Sequence, residues 1–223
     1  MFLLLWLFYF MQLTTFNLLP DYFPESRKES SEIWGKELAF QPGDRVKIVA
    51  PSGSGKTSLI HFMYGLRSDY RGVISFEKKP ATGFTAEDFA RLRKDSVSIV
   101  LQDLRLLPEQ TVYQNLYIKH QLNPFHPVEK IKEMMERLGI GSKLNAPCKT
   151  CSYGEQQRVA IIRALLQPFR FLLLDEPFSH LDDNNSKKAM ELILEEAGSR
   201  GAAVIFADLE RVDYFPFTRM YHL

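Results

Sequence analysis

Residues 46–58, VKIVAPSGSGKTS, carry an apolar run into a glycine-rich loop, and the loop opens an amphipathic stretch over residues 59–66. A strand that ends in such a loop ahead of a helix aims consecutive backbone N–H groups, and the positive end of the helix, at one point in space. A phosphate chain is the ligand that suits such a point. In the pattern GxxxxGK[ST], Gly53 and Gly55 let the backbone approach the phosphates, and Ser52, Ser54 and Ser58 complete the cradle. Lys56 would reach the β and γ phosphates, and Thr57 would hold Mg²⁺. Ala50 stands where the pattern has its leading glycine. Alanine is harmless there with φ below zero and strained in a left-handed conformation.

Charge and cysteine content narrow the partners. Twenty-eight basic and 27 acidic residues leave a net charge of +1, without the basic field that marks a nucleic-acid binder. With 45 % hydrophobic residues, the 223-residue chain has ample material for a buried core. Cys148 and Cys151 are too few for a disulfide framework, and their CxxC lacks the second ligand pair of a zinc site, so they read as reduced thiols.

Residues 1–19 carry no charge, and residues 1–11 are apolar throughout. A spanning helix needs about 20 mostly apolar residues. Here Gln12, Thr14, Thr15 and Asn17 interrupt the run and Pro20 ends it. There is no basic n-region or small-residue cleavage site of a signal peptide. Residues 1–10 therefore read as an extension. It is either the product of an upstream start, with translation beginning at Met11, or a short membrane-surface anchor, with a true span as the third reading.

Strands are expected at residues 12–19 and 33–40, joined by a polar connection over residues 25–32, and a tight turn at 41–44 leads into the P-loop strand. Residues 73–76 and 97–101 read as further strands, the latter ending in Gln102 and Asp103. Helical patterns cover residues 85–94, 111–122, 127–138 and 155–166, and apolar strands cover 171–174 and 202–206. This succession implies an α/β parallel sheet with a helical insert at about residues 106–165.

The segment FLLLDEP, residues 171–177, delivers two acids to the carboxyl edge of its strand, where open α/β sheets bind their ligands. Two acids at a strand end are by themselves ordinary turn residues. Downstream of a phosphate cradle they acquire chemical roles, since Asp175 can hold Mg²⁺ through water and Glu176 can polarise an attacking water.

The segment CSYGEQQR, residues 151–158, completes an ordered set. P-loop, Gln102 after a strand, this helix start, the DEP acids and then SHLD at residues 179–182 occur in the order of the ATP-binding-cassette (ABC) ATPases, which the chain resembles over about residues 11–223. LLPEQTVYQNL, GEQQRVAIIRALL and SHLDD look most like the small ATPase subunits of the lipoprotein-release, cell-division and macrolide-export group. The resemblance implies a P-loop NTPase fold with a mainly parallel core sheet, an N-terminal antiparallel β subdomain and a helical subdomain. It implies an ATPase that uses ATP and Mg²⁺, with Glu176, Gln102 and Lys56 in catalysis and Thr57, Gln102 and Asp175 at the metal. Gln102 would touch the attacking water while its loop abuts a membrane partner. Ser152 and Gly154, with Glu155 in the same turn, would contact ATP held by the opposite subunit, so that two cassettes sandwich two nucleotides. Asp182 would lie in the loop that crosses the dimer interface, and Phe23, or its neighbour Tyr22, would stack on adenine. The implied partner is a separate permease-type subunit, with this chain peripheral at the cytoplasmic face of the inner membrane. No nucleic-acid partner is implied.

Four further positions, besides Ala50, depart from the family. Ala207 stands in VIFADLE where the family has a histidine that binds the γ-phosphate, Tyr153 replaces the first glycine of the signature, Cys151 replaces its leucine, and His180 replaces a small residue. Tyr153 would obstruct closure unless its ring turns away. Losing one charge-assisted hydrogen bond in the transition state costs ~1.5 to 3 kcal/mol, or roughly 10- to 150-fold in rate, so slow hydrolysis is expected rather than loss of binding. Two other readings stay open: a regulatory nucleotide-binding module with little or no hydrolysis, and a soluble ABC protein outside transport. Homo- and heterodimers also stay open, since a homodimer would carry both departures in each composite site and an intact partner cassette would leave one per site.

Overall fold

The computed structural model describes residues 12–209 and 215–223. The expectations for residues 1–10, and for a start at Met11, fall outside the described residues.

Two sheets organise the chain. Strands β1 (Leu13–Pro20), β2 (Glu37–Phe40), β4 (Tyr70–Phe76) and β5 (Lys79–Pro80) make an antiparallel sheet in the order β2-β1-β4-β5. Strands β3 (Arg45–Val49), β6 (Val97–Val100), β7 (Phe171–Asp175), β8 (Ala203–Asp208) and β9 (Arg219–His222) make a parallel sheet in the order β6-β7-β8-β3-β9. The helices are α1 (Lys56–Met63), α2 (Ala86–Asp95), α3 (Val112–Leu122), α4 (Lys130–Arg137), α5 (Tyr153–Leu165) and α6 (Asp183–Arg200). Among the described residues no helix is long and apolar enough to cross a membrane.

Side chains of the parallel sheet alternate between two cores. Leu172, Leu174, Val204 and Phe206 pack with Leu116 of α3, Met134 of α4, Ile161 of α5 and Ile193 of α6. Phe171, Leu173, Ile205 and Ala207 join Leu59 and Ile60 of α1 and Leu13 and Phe76 of the antiparallel sheet. Because both faces are covered, these strands appear in the sequence as continuous apolar runs rather than as alternating ones.

Local chemistry sets most element boundaries. α2, α3 and α5 each begin with a reciprocal capping box, Thr85 with Asp88, Thr111 with Gln114 and Ser152 with Glu155. The strand expected over residues 33–40 forms only from Glu37. Ser31 Oγ accepts the N–H groups of Ile33 and Trp34, and Gly35 at φ +74° then turns the chain, which buries the Trp34 ring beside the P-loop. β8 runs on to Asp208, two residues beyond the expected end, because it pairs with β3 as far as Val49.

Candidate active site

The P-loop leaves β3 and enters α1 through two left-handed glycines. Gly53 has φ +76° with open space around its missing side chain, so conformation alone requires glycine there. Gly55, at φ +97°, is restricted twice, since a Cβ would also come within 2.9 Å of Trp34 Cζ2 and 3.1 Å of Phe23 Cε2. Ala50 keeps a negative φ, so the absent leading glycine leaves no strain. The Lys56 ammonium is buried, donates to the carbonyls of Ala50 at 2.7 Å and Pro51 at 3.1 Å, and lies 3.5 Å from the Glu176 carboxylate. Ser54 Oγ donates to Pro51 O at 2.8 Å, and Trp34 Nε1 donates to Ser54 O at 3.2 Å. Ser52 is exposed, while the buried Ser58 hydroxyl bonds to the Tyr22 hydroxyl and accepts from Arg67 at 3.1 Å. A phosphate in the cradle would therefore meet the backbone of Ser58 and not its hydroxyl.

The acids sit at the end of β7. Asp175 is fully buried, neither carboxylate oxygen has a well-formed hydrogen bond among the described residues, and burial pushes its carboxyl up to about 6 against the lowering effect of the nearby Thr57 hydroxyl. Thr57 Oγ1 donates to Gln102 Oε1 at 3.3 Å, and Gln102 Nε2 donates to Glu176 Oε2 at 3.4 Å. Three segments distant in sequence thus close a ring of oxygen and amide groups beside the buried lysine. A buried carboxylate beside the Thr57 hydroxyl, which itself meets the Gln102 amide oxygen, suits Mg²⁺, a hard cation that takes oxygen ligands and needs only one or two protein groups besides phosphate and water. No cluster of three or more His, Cys, Asp or Glu side chains among the described residues offers an all-protein alternative. Glu176 itself is left-handed at φ +47°, a conformation that costs about 1 to 3 kcal/mol and marks functional turns. Its N–H donates to Ala207 O at 2.9 Å. Ala207 is wholly buried, and beyond that carbonyl it presents only a methyl group. Burial also pushes the neighbouring Asp208 carboxyl up to about 6, against the opposing hydrogen bond from Leu209 N–H.

The start of α5 holds the signature residues. Ser152 Oγ accepts from Glu155 N–H at 3.2 Å and Glu155 Oε2 accepts from Ser152 N–H at 2.8 Å, a bond that holds the Glu155 carboxyl below its ordinary value. Lys143 stands 3.3 Å from Glu155. Tyr153 turns toward its own chain: its ring meets that of His180 edge-on, centroids 4.2 Å apart, and its hydroxyl lies 3.5 Å from Gln102 O. At Gly154 a Cβ would come within 2.8 Å of His180 O, so the loop 179–182 packs directly on this helix start. Asp182 caps α6 by accepting from Asn185 N–H at 2.8 Å. Ser152, Gly154 and Glu155 make no bond to the P-loop among the described residues. Cys148 and Cys151 are buried and free, and burial drives the Cys148 thiol up to about 11, which fits unreactive thiols.

Phe23 is half-buried against Trp34 and has the Arg27 guanidinium 5.1 Å from its ring centroid. A base stacked there would share the ring with Arg27. Sequence reasoning missed Trp34, which braces the P-loop, and Arg163, which donates to the carbonyls of Leu104 and Arg105 in the loop after Gln102. Both of those loop residues have positive φ. Neither role has a local signal, since each acts on a distant segment. Beside this loop lies a groove of about 360 Å³ lined by exposed Leu107, Ile118 and Leu122, with Arg105, Lys119 and Arg163 among its walls. Lys119 has no ion-pair or hydrogen-bond partner among the described residues, and burial, aided by Arg163 and Arg93, lowers it to about 8.

The sequence profile described as ABC transporter matches residues 35–179. The lipoprotein-releasing system ATP-binding protein LolD of Nitrobacter hamburgensis is 32 % identical over 78 % of this chain and 76 % of its own length. The cell division ATP-binding protein FtsE of Streptococcus pneumoniae is 33 % identical over 80 % of this chain and 78 % of its own. The macrolide export ATP-binding/permease protein MacB of Nitrosomonas europaea is 32 % identical over 83 % of this chain, which spans only 28 % of that protein. Among solved structures, the dimeric ATP-binding cassette MJ0796 in a post-hydrolysis state with ADP and Pi superposes with a TM-score of 0.81 at 22 % identity, covering 95 % of this chain and 94 % of that one. A bacterial Atm1-family ABC exporter with ATP bound gives 0.72 at 21 % identity, covering 90 % of this chain and 35 % of its own. At such identities the structures speak for the fold.

Proposed function

Because this chain belongs to the ABC transporter family, we propose that it binds and hydrolyses ATP as the cassette subunit of a membrane complex whose permease is a separate chain. The observation that supports this most is the ring of Lys56, Thr57, Gln102 and Glu176 around the unpaired Asp175 carboxylate. The Lys56 ammonium donates to the carbonyls of its own loop. ATP offers stronger, charged acceptors, and the ammonium exchanges the carbonyls for the β and γ phosphates. Thr57, Asp175 and Gln102 would hold Mg²⁺, which when bound supplies charge neutralisation on the phosphates. Glu176, placed by its left-handed turn, accepts a hydrogen bond from the attacking water and takes its proton, while Gln102 orients that water. Ser152 and Gly154 complete the site of a second cassette across the dimer. Ala207 has no side-chain donor for the γ-phosphate, so turnover is slow.

The groove beside Gln102 is the docking place for the membrane subunit. Its rim of Leu107, Ile118 and Leu122 suits an amphipathic segment, and the unpaired Lys119 calls for a carboxylate on it. The cassette is accordingly peripheral, at the cytoplasmic face of the membrane.

Single-turnover hydrolysis by the full chain, measured beside Glu176→Gln, tests the reading. The parent should turn over slowly, and the variant should accumulate as an ATP-bound dimer, because binding groups survive while the proton acceptor is lost. Equal rates would remove Glu176 from catalysis, and a parent that binds ATP without hydrolysing it would leave a regulatory module.

A further inference from the structure

We propose that Gln157 is a positioning residue that holds the main chain of Glu176 and the loop 179–182 to one point on α5, so that the proton acceptor and the interface loop move as a unit. This rests on the reading of Glu176 given above.

Gln157 is 1 % exposed and all of its amide is used. Nε2 donates to Glu176 O at 3.2 Å and to Ser179 Oγ at 3.3 Å, and Oε1 accepts from His180 N–H at 3.0 Å. An amide has two N–H donors and one carbonyl acceptor, and these three partners need two donors and one acceptor. Glutamine matches that demand, whereas an ionised glutamate would lose both donors and press a negative charge against Glu176 O.

The bond to Glu176 matters because of the conformation it restrains. At φ +47° a residue with a side chain stays left-handed only where its surroundings hold it. Three bonds do so: the N–H is tied to Ala207 O in β8, and the carbonyl accepts from Ser179 N–H within its own turn at 3.3 Å and from Gln157, which ties it to α5. With both ends held, the Cα–Cβ bond is aimed at Lys56 and Gln102, 3.5 and 3.4 Å from the carboxylate. One turn earlier on the same face of α5, Gly154 lies against His180 O. The helix therefore grips the loop at two levels, and the Gln157 amide, together with the Ser179 N–H bond to Glu176 O, passes a displacement of the loop to the Glu176 main chain.

The test compares Gln157→Met and Gln157→Glu with the parent, measuring ATP affinity and single-turnover rate in the full-length protein. Gln157→Met keeps the volume and loses every hydrogen bond. It should bind ATP within about two-fold of the parent and hydrolyse it at least about ten-fold more slowly. Gln157→Glu supplies the test that mere stability would not answer. Its rate relative to the parent should recover as pH falls from about 8 to about 6, because a protonated carboxyl again donates to Glu176 O and accepts from His180 N–H. A Met variant hydrolysing within about two-fold of the parent, or a Glu variant whose relative rate ignores pH, overturns the proposal. Glu176→Gln run alongside separates the two readings: parental activity there removes the premise itself, whereas an inactive Glu176→Gln beside fully active Gln157 variants refutes the positioning role alone.

Discussion

Asp175 sits in an environment opposed to its charge. Its carboxyl is fully buried without a well-formed hydrogen bond, and burial pushes it up to about 6 from an ordinary 3.8. Between these values the folded chain holds more protons than the unfolded one, so this group makes stability fall as pH rises from about 4 to about 6. The full effect at neutral pH is on the order of 3 kcal/mol. In protein free of nucleotide and Mg²⁺, the melting temperature of Asp175→Asn relative to the parent should therefore climb across that window. Parallel pH curves for the two proteins would show that Asp175 is not destabilised by its charge. MgATP should raise the melting temperature of the parent more than that of the variant, because only the parent offers the cation the Asp175 carboxylate. The residue was legible in the sequence from its place after four apolar positions. Its isolation was not, because that depends on which groups of other segments stop short of it.

Among the helices and strands, caps and apolar runs made most of them legible, since a capping box or a buried strand is decided within a few residues. α6 was not assigned from the sequence although its signs were local: Asp182 caps it and Ala189, Met190, Ile193 and Ala197 line its buried face. Dense polar residues over its first turn hid that spacing. β9 had less to show, because a four-residue edge strand is defined by pairing with β3 and not by its own composition. The start of α5 gives a prediction in which two effects have opposite signs. Helix propensity alone would make Gly154→Ala stabilising by about 1 kcal/mol. The new methyl would instead lie 2.8 Å from His180 O, a backbone atom that must shift the loop 179–182 to make room. The steric term should win, lowering the melting temperature and the hydrolysis rate together. An unchanged or raised melting temperature would mean that the loop yields freely.

Across the molecule as one body, a single helix start is both packed on its own chain and, in the proposed sandwich, presented to another. Nucleotide-dependent dimerisation should fail in Lys56→Ala, which removes the fixed positive charge of the cradle. Light scattering with and without MgATP reads this directly, and a variant that still dimerises with unchanged ATP affinity would contradict the P-loop assignment. The groove beside Gln102 gives a second expectation. Lys119→Glu should cut co-purification with the membrane subunit by about ten-fold or more and leave the ATPase rate of the isolated chain within about two-fold, because Lys119 touches neither the P-loop nor the acids. Undiminished co-purification would place the partner elsewhere.

Neighbouring residues were enough to specify the phosphate cradle, the two acids after β7, the capped helix starts and the apolar runs of a sheet covered on both faces. Each of these is encoded locally through φ preference, capping chemistry and hydrophobic period. Long-range packing was needed to establish that Thr57 meets Gln102 across 45 positions and Gln102 meets Glu176 across 74. The same packing turns the Ser58 hydroxyl to Tyr22 and Arg67, sets Tyr153 against His180, and closes Gln157 on the left-handed main chain of Glu176. These outcomes depend on which distant groups share a low-dielectric interior where every polar atom must find its partner, and that condition is set by the packed chain as a whole.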